Sequence, residues 1–293
     1  MGNFRYSFIF LITVLYLIAS IDAKSSSWNF NNWNHYGKEV TVGRGSSWDK
    51  AWGIPSQSGW AWFWNGAEKL KNVAVKDPAG KDDLVLRVTY PAGSRNPDTR
   101  PRGGIGFRAQ PIEINENVKT VDFQYSVYFP KGFKFIQGGK LPGLYGGHGD
   151  CTGGEESDSC FTTRIMWRKD GNGEIYAYLP HNQRKDICDE DNNICNDDYG
   201  YSLGRGEFKF ETGQWNTVRQ TITLNNAGKQ DGKIELQVNG KKAITVEKLI
   251  FRENKAGRVA GILFHTFFGG SDSSWKTPKK QYTYFKDLHL SAK

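Results

Sequence analysis

Lys140, Arg164, Tyr176 and Tyr178 are the side chains of this chain whose types and spacing could carry out chemistry. Elimination beside a sugar carboxylate needs a cation that neutralises the carboxylate, a base that removes the neighbouring C5 proton and an acid that protonates the departing O4. Arginine can hold a carboxylate through two parallel hydrogen bonds. A tyrosine can act as base and acid if its pKa falls to about 7, which requires roughly 4 kcal/mol. One cation about 4 Å away supplies that much at an effective dielectric constant of about 20.

Two strands joined by the turn Asp170–Gly173 must position Arg164 and the tyrosines. Because side chains alternate between the two faces of a strand, Arg164 and Tyr178 share a face only if the connection has an odd number of residues. A two-residue turn would put Arg164 on the opposite face. We therefore predict a three-residue or bulged connection at Gly171–Gly173, with Lys140 arriving from a neighbouring strand. The pairs expected across this hairpin are Met166 with Tyr178 and Arg168 with Tyr176.

The rest of the chain consists of short alternating segments separated by turns. The clearest hairpin surrounds Asn239-Gly240, a pair of residues that a type I′ turn prefers. Pro91–Pro101, rich in Gly, Pro, Asn and Asp, is expected to be a surface loop. Strands are predicted at residues 84–89, 121–129, 233–238, 241–246, 259–268 and 281–290. Short strands without helical segments between them predict an all-β fold, a β-jelly-roll sandwich of two antiparallel sheets with a concave substrate groove.

Three motifs together resemble those of a known enzyme family: Gly138–Gly147 with Lys140, Thr162-x-Arg164, and Tyr176-x-Tyr178. They are similar to motifs of the alginate lyases of polysaccharide lyase family 14 and, more loosely, of the glucuronan lyases of family 20. The resemblance implies a jelly-roll enzyme, without cofactor or metal, that cleaves a polyuronate by β-elimination and leaves unsaturated uronate ends. Alginate in its poly-mannuronate regions is the expected substrate, and glucuronan is the alternative.

The resemblance also implies a role for each side chain. Tyr178 is expected to be both base and acid, with Tyr176 in support. Lys140 and Arg164 are expected to neutralise the substrate carboxylate and to lower the tyrosine pKa. Thr162 stands where some members of the family have serine, and we expect it to contact the substrate.

Four more residues are candidate substrate contacts. His148 follows the Gly146-Gly147 turn and His181 follows the Tyr-x-Tyr strand, so both could reach the groove. Gln124 lies on the polar face of its strand, and Arg108 follows a glycine-rich segment. For each of these residues an ordinary packing or surface role is the alternative.

The four cysteines form two short-range pairs. We predict disulfides Cys151–Cys160 and Cys188–Cys195, the two local closures among three possible connectivities. Each disulfide would brace a surface loop by up to about 3 kcal/mol. A zinc site is the alternative, but the chain lacks Cys-x-x-Cys spacing and a nearby pair of histidines.

The N-terminus predicts export. Residues 1–23 contain Arg5, an apolar run from Phe8 to Ala19, and Ala23 just before Lys24. This pattern is typical of a secretory signal peptide and is too short for a spanning helix, so a retained anchor is the less favoured alternative. Residues 24–293 are then expected to form a single jelly-roll lyase domain, secreted, extracellular, monomeric and free of the membrane.

The charge of the chain indicates an acidic partner. It has 39 Lys and Arg against 31 Asp and Glu, a net charge of +8. The cations are scattered and form no nucleic-acid motif, so nucleic acid is not expected. A positive groove on a secreted protein suits an anionic polysaccharide, because such a cleft attracts a polyanion.

Three other functions stay open from the sequence. Glu156 and Asp158 resemble the carboxylate pattern of some glycoside hydrolases, but Phe161 occupies its third acidic position. Asp189–Asn193 begins like a calcium loop, but Ile194 replaces the turn glycine. A carbohydrate-binding module without catalysis would use the same groove and aromatic residues. Binding alone, however, does not need two tyrosines beside two cations.

Overall fold

A computed structural model describes residues 26–31, 33, 47–54, 62–64, 70–147, 151, 160–196 and 200–293. The predicted signal peptide, residues 1–23, lies outside the described residues, as do His148 and Glu156–Asp158. In the described part of the chain, no helix is long and apolar enough to cross a membrane.

Strands are the main regular structure of the described chain. One six-residue α-helix, α1 (Ser47–Trp52), and 3₁₀ turns at Lys169–Gly171, Lys185–Cys188 and Ser273–Trp275 accompany them. The strands are β1 (Ser26–Phe30), β2 (Trp62–Trp64), β3 (Val73–Lys76), β4 (Leu84–Tyr90), β5 (Ile105–Ala109), β6 (Thr120–Tyr128), β7 (Gly138–Gly147), β8 (Cys160–Arg168), β9 (Gly173–Tyr178), β10 (Ile194–Asn196), β11 (Gly200–Leu203), β12 (Trp215–Thr223), β13 (Gly232–Val238), β14 (Lys241–Leu249), β15 (Val259–Phe268) and β16 (Gln281–Ala292).

These strands form two eight-stranded antiparallel sheets. The back sheet has the order β14-β13-β12-β6-β16-β4-β3, with β1 also paired with β16. The cleft sheet has the order β10-β11-β9-β8-β7-β15-β5-β2. The predicted jelly-roll sandwich of two antiparallel sheets is therefore confirmed, and the short helix α1 is an addition that the strand pattern did not predict.

The predicted strands are present with small changes at their ends. Residues 121–129 correspond to β6 and residues 259–268 to β15, while the last strand continues to Ala292. The Asn239-Gly240 turn joins β13 to β14, and both of its residues have positive φ, 50° and 77°. A type I′ turn requires positive φ at both central residues, so the hairpin forms where its sequence predicts it.

Aromatic side chains fill the space between the two sheets. The Trp167 ring of β8 meets Phe129, Phe133 and Phe268 edge to face, with ring centroids 5.7, 6.0 and 5.3 Å away. Its indole N–H donates a hydrogen bond to the carbonyl oxygen of Phe135 at 3.1 Å. Edge-to-face pairs add about 0.5–1.5 kcal/mol each to the energy of burial. These contacts fix the end of β8 that precedes the hairpin turn against the core.

The hairpin of β8 and β9 has the predicted parity but not the predicted register. The observed pairs are Thr162 with Tyr178, Arg164 with Tyr176 and Met166 with Glu174. The predicted partners are thus wrong by four residues along β9. The connection does have three residues, Lys169–Gly171, and it is closed by a hydrogen bond from the Arg168 N–H to the Asn172 carbonyl at 2.6 Å. Because this number is odd, Arg164 and Tyr178 still share a face.

Strand β7 contains a bulge at Pro142. Leu141 pairs with Ile165 and Gly143 pairs with Arg164, so Pro142 is one extra residue on its strand. An extra residue reverses the face that later side chains take. Lys140 before the bulge and Tyr145 after it therefore both face away from the core, although they are five positions apart in the sequence. From the back sheet, the buried phenol of Tyr125 donates a hydrogen bond to the Pro142 carbonyl at 3.0 Å.

The glycines of β7 leave room for the neighbouring strand and its side chains. A Cβ on Gly143 would lie 2.1 Å from the Thr163 carbonyl oxygen and 2.6 Å from the Arg164 Cα. A Cβ on Gly139 would lie 2.0 Å from the Trp167 ring. The Gly138–Gly147 motif is therefore a packing requirement that brings β7 and β8 close together around Lys140.

We expect Tyr125→Phe to lower the free energy of unfolding by about 1–3 kcal/mol, because it leaves the buried Pro142 carbonyl without its donor. Urea unfolding measured by tryptophan fluorescence tests this. Tyr284→Phe is the matched control, since Tyr284 is half-buried on the outer face of the back sheet. Its change should stay within about 0.5 kcal/mol. Equal losses in the two variants would show that the hydrogen bond does not stabilise the bulge.

Candidate active site

The cleft sheet carries a cleft of about 610 Å³ on the face turned away from the core. Strands β7, β8 and β9 form its floor, with β15 on one side and β10 and β11 on the other. Loop residues Asn96–Asp98 and Gly270–Trp275 lie at its rim. The floor residues that could act on a ligand are Lys140, Arg164, Met166, Arg168, Tyr176, Tyr178, Arg205 and His265.

The structure brings together the four residues that the sequence singled out. The Nζ of Lys140 lies 3.3 Å from the centroid of the Tyr176 ring. The Cζ of Arg164 lies 5.5 Å from the centroid of the Tyr178 ring. The two tyrosine rings are 5.6 Å apart and nearly perpendicular. Each ring thus has the end of a basic side chain near its face.

Lys140 occupies an unusual environment for an amine. Its side chain is buried, and Nζ donates to the Sδ of Met166 at 2.9 Å, an acceptor far weaker than oxygen. Burial and then the positive charges of Arg164 and Arg168 hold the pKa of Lys140 well below its usual value. The amine can therefore lose its proton at a pH where an exposed lysine stays charged.

Arg164 is buried beside a histidine that sequence reasoning missed. Its Nη1 lies 3.4 Å from the Nδ1 of His265, and its guanidinium is next to the Tyr178 ring. Burial and then the charges of Arg164 and Arg108 hold the pKa of His265 well below 6.5. A neutral imidazole accepts a hydrogen bond from the guanidinium without adding positive charge. Although burial lowers the pKa of Arg164, arginine is not deprotonated in proteins.

Tyr176 does not gain the acidity that the sequence predicted. Burial and then the neighbouring Tyr178 raise the pKa of Tyr176, and these effects outweigh the charges of Arg168 and Arg164. Arg168 and Arg164 do lower this pKa, but the expectation of a net lowering is wrong for this residue. It considered the charges and left out the loss of water around a phenolate, which favours the neutral form.

A buried carboxylate, Glu174, orders one end of the floor. Its Oε1 accepts a hydrogen bond from the Arg168 Nη2 at 2.5 Å. Its Oε2 accepts from the Arg205 Nε at 2.7 Å and from the Ser202 hydroxyl at 2.6 Å. Burial by itself would raise the pKa of Glu174, but Arg168, Arg205 and Ser202 together lower it. Glu174 is therefore ionised at neutral pH.

Side-chain hydrogen bonds brace one rim of the cleft. Arg95 donates to the carbonyls of Gly270 and Ser271, and Asn96 donates to the Gly270 carbonyl at 3.2 Å. These contacts attach the Pro91–Pro101 segment, predicted as a surface loop, to the segment that follows β15. A loop that the composition described only as polar thus forms part of the cleft.

Two of the predicted substrate contacts lie on the cleft face with other partners. The Thr162 hydroxyl donates to the Cys151 carbonyl at 3.0 Å, which ties β8 to the adjoining disulfide. The Arg108 guanidinium lies 5.1 Å from the centroid of the Tyr145 ring. Neither residue belongs to the described lining of the cleft. Their roles as substrate contacts stay predictions.

Gln124 is misplaced by the sequence prediction. It lies on β6 of the back sheet, where its neighbours Phe123 and Tyr125 point into the core and Gln124 points outward. The cleft is on the outer face of the other sheet, so Gln124 is on the wrong side of the molecule to contact a ligand there. Alternation identified its polar face but not its sheet. His181 is exposed just after β9 and is absent from the described lining of the cleft.

Both predicted disulfides are present, Cys151–Cys160 and Cys188–Cys195, with Cα atoms 5.8 and 5.7 Å apart. All four cysteines are thereby used, so the zinc alternative is excluded. The second disulfide joins the 3₁₀ turn Lys185–Cys188 to β10, whose Ile194 and Asn196 line the cleft. Within the described residues, no group of three or more His, Cys, Asp or Glu side chains is placed to hold a metal ion.

Two residues of the cleft that the sequence prediction missed, His265 and Arg205, had little in the sequence to mark them as functional. His265 is the one ionisable residue of the predicted strand 259–268, and this could have marked it. Arg205 stands between two glycines in a turn after β11, where nothing local indicates that it reaches Glu174. The contact between them joins residues 31 positions apart.

Comparisons with known proteins agree with this geometry. The family described as Polysaccharide lyase 14 matches residues 78–288, a span that includes the whole floor of the cleft. The crystal structure of the marine PL-14 alginate lyase from Aplysia kurodai is 38% identical, covers 74% of this chain and 86% of that one, and gives a TM-score of 0.67. Alginate lyase vAL-1 from Chlorella virus is 26% identical, with coverage of 75% and 89% and a TM-score of 0.62.

A curated viral protein also shares part of this sequence. Exolysin of Paramecium bursaria Chlorella virus 1 is 25% identical over 168 residues, 50% of this chain and 25% of that protein. The chain therefore spans about a quarter of the length of this relative. The resemblance stated from the three motifs is confirmed by the family match.

We expect Lys140→Met to be more stable than the native protein at neutral pH, because it removes an amine that burial disfavours in its charged form. Between the lowered pKa of folded Lys140 and the value of 10.5 for an exposed lysine, the unfolded chain holds one more proton than the folded chain. The stability of the native protein therefore rises with pH in this window, by about 1.4 kcal/mol per pH unit relative to Lys140→Met.

Urea unfolding of both proteins across neutral to alkaline pH measures this difference. The excess stability of Lys140→Met should shrink as the pH rises towards 10.5. A constant difference across this range would show that Lys140 is charged in the folded protein.

Proposed function

This chain belongs to the polysaccharide lyase 14 family, and we propose that it cleaves alginate, within its poly-mannuronate regions, by β-elimination that leaves unsaturated uronate ends. The observation that carries the proposal is the convergence of Lys140, Arg164, Tyr176 and Tyr178 on the floor of one cleft. Binding alone would not require an amine of lowered pKa beside two phenols. The choice of alginate is supported by the two relatives whose structures are described as alginate lyases.

Arg164 neutralises the carboxylate of the sugar that is cleaved. Its guanidinium is permanently charged and lies on the floor beside His265 and Tyr178. A cation on the carboxylate stabilises the negative charge that develops when the C5 proton leaves. Such stabilisation is strong in a site that is shielded from water.

We assign the base and the acid to two different residues. Lys140, whose pKa is held well below its usual value, takes the C5 proton as a neutral amine. The electrons of the C5–H bond form the C4–C5 double bond, and the C4–O4 bond breaks. Tyr178 then donates its phenol proton to O4. The family resemblance implies Tyr178 for both steps; the lowered pKa of Lys140 supports giving the role of base to the amine instead.

Tyr176 supports both groups. Its ring lies under the Lys140 amine, and its phenol is hydrogen-bonded to Tyr178. Since its pKa is raised, Tyr176 stays protonated and can donate a hydrogen bond to Tyr178 when that residue has lost its proton. It is therefore a support for the acid and not a second base.

We also propose that the protein is secreted after removal of residues 1–23 and acts outside the cell as a monomer. The two disulfides support this proposal, because such bonds persist in oxidising compartments. The positive net charge of +8 suits a polyanionic substrate.

We expect Tyr178→Phe to reduce the formation of unsaturated ends on poly-mannuronate by at least about 100-fold, since it removes the proton donor to O4. Ultraviolet absorbance of the new double bond measures the rate. Tyr284→Phe, on the back sheet, should retain the native rate. Parallel assays on poly-guluronate and glucuronan test the substrate. Faster cleavage of glucuronan would overturn the choice of alginate, and binding without absorbance on any polymer would identify a binding module.

Lys140→Arg separates the two possible roles of Lys140. If Lys140 is the base, this variant loses activity as completely as Lys140→Ala, because arginine keeps its proton. Native kcat/KM should then rise with pH through the lowered pKa of Lys140. Retention of most activity in Lys140→Arg would instead mean that Lys140 neutralises the carboxylate.

A further inference from the structure

A buried carboxylate, Glu174, lies beneath the floor of a cleft that we propose for a polyanion, and this needs an explanation. The Glu174 side chain is fully buried, and three donors occupy its two oxygens. The side chains of Arg168 and Arg205 are 15% and 34% exposed, and both line the cleft. The two guanidinium groups and one carboxylate leave a net charge of +1 that faces the ligand.

Glu174 fixes the orientation of both arginines. Arg168 binds one carboxylate oxygen and Arg205 binds the other. Glu174 thus holds one side of each guanidinium, and the remaining N–H groups point away from this carboxylate. Arg168 is further enclosed by the rings of Tyr176 and Trp275, with centroids 5.6 and 5.8 Å from its Cζ. Side chains that are fixed before binding lose less entropy when a ligand arrives. Without Glu174 the two cations would also repel one another.

The position of this group relative to Arg164 suits a second sugar. The pair Met166–Glu174 is the next pair on the same face after Arg164–Tyr176. Two residues along a strand span about 7 Å. The arginines held by Glu174 therefore lie beyond Arg164 along the floor, where a continuing chain would place another carboxylate.

We propose that Arg168 and Arg205, held by Glu174, form a subsite for the carboxylate of a uronate unit next to the one that Arg164 holds. This inference rests on the proposed function for the class of ligand, an anionic uronate chain. Arg168 and Arg205 touch the ligand, and Glu174 is a positioning residue that does not.

Arg205→Gln tests the subsite in a Tyr178→Phe background, so that bound oligosaccharides are not cut. The probes are oligo-mannuronates from the disaccharide to the hexasaccharide, with affinity measured by titration calorimetry. With Arg205 present, affinity should increase by about 10- to 100-fold at the length that reaches the subsite, as expected for a hydrogen bond to a charged group. With Arg205→Gln this step should disappear while the shorter probes bind unchanged. Arg219→Gln is the control, since Arg219 pairs with Asp122 on the back sheet.

Glu174→Gln tests whether loss of this carboxylate strengthens or weakens the binding of a polyanion. Charge alone predicts that removing a negative group makes a polyanion bind more tightly. The positioning role predicts weaker binding of the long probes, because the arginines lose their common anchor. Tighter binding of the long probes would overturn the role of Glu174. If this variant does not fold, Arg205→Gln still decides the subsite.

The outcomes separate this inference from the proposed function. If the native protein cuts no polyuronate but the length-dependent step needs Arg205, the function is wrong and the subsite stands. If the native protein cuts poly-mannuronate and Arg205→Gln binds every length unchanged, the function stands and the subsite is wrong.

Discussion

The hydrogen bond from Tyr125 to the Pro142 carbonyl is the contact on which the site depends. A regular β7 would direct Lys140 and Tyr145 to opposite faces, because they are five positions apart in the sequence. The bulge at Pro142 puts both on the cleft face, and Tyr125 holds it from the opposite sheet. One core contact between the two sheets therefore supports the bulge that sets which side chains of β7 point to the cleft face.

Burial shapes the electrostatics of the cleft more than charge does. Lys140, Arg164 and His265 are all buried, and loss of water favours the uncharged form of each group that can change its charge. Burial lowers the pKa of Lys140 and His265 far enough that they can be neutral, whereas arginine keeps its charge. Arg164 is thus a permanent cation beside an amine and an imidazole that can be neutral. This division between a fixed charge and groups that exchange protons is what an elimination reaction needs.

Local patterns predicted the strands well because alternation and turn chemistry act over a few residues. Asn239-Gly240 sets its hairpin through its own backbone, and residues 259–268 form a strand by composition. The predicted register of the β8–β9 hairpin is wrong because the local sequence Asp170–Gly173 does not fix where the turn begins. In the structure this segment also pairs outside the hairpin, through the bridge between Asn172 and Lys209. Alternation correctly places Gln124 on a polar face, but it does not say which sheet a strand joins, so the prediction that Gln124 contacts the substrate is wrong. Contacts between residues far apart in the sequence, such as Arg205 with Glu174, cannot be predicted from local patterns, because these do not say which strands and turns are neighbours.

The close approach of β7 and β8 also has an evolutionary consequence. At Gly139 and Gly143 any side chain would collide with a neighbouring ring or backbone, so the strand that carries Lys140 tolerates little mutation. The rim formed by Asn96–Asp98 and Gly270–Trp275 is held by side-chain hydrogen bonds to backbone carbonyls, which other sequences can replace. Changes in ligand preference can therefore arise through substitutions in the rim, whereas the floor cannot change in this way.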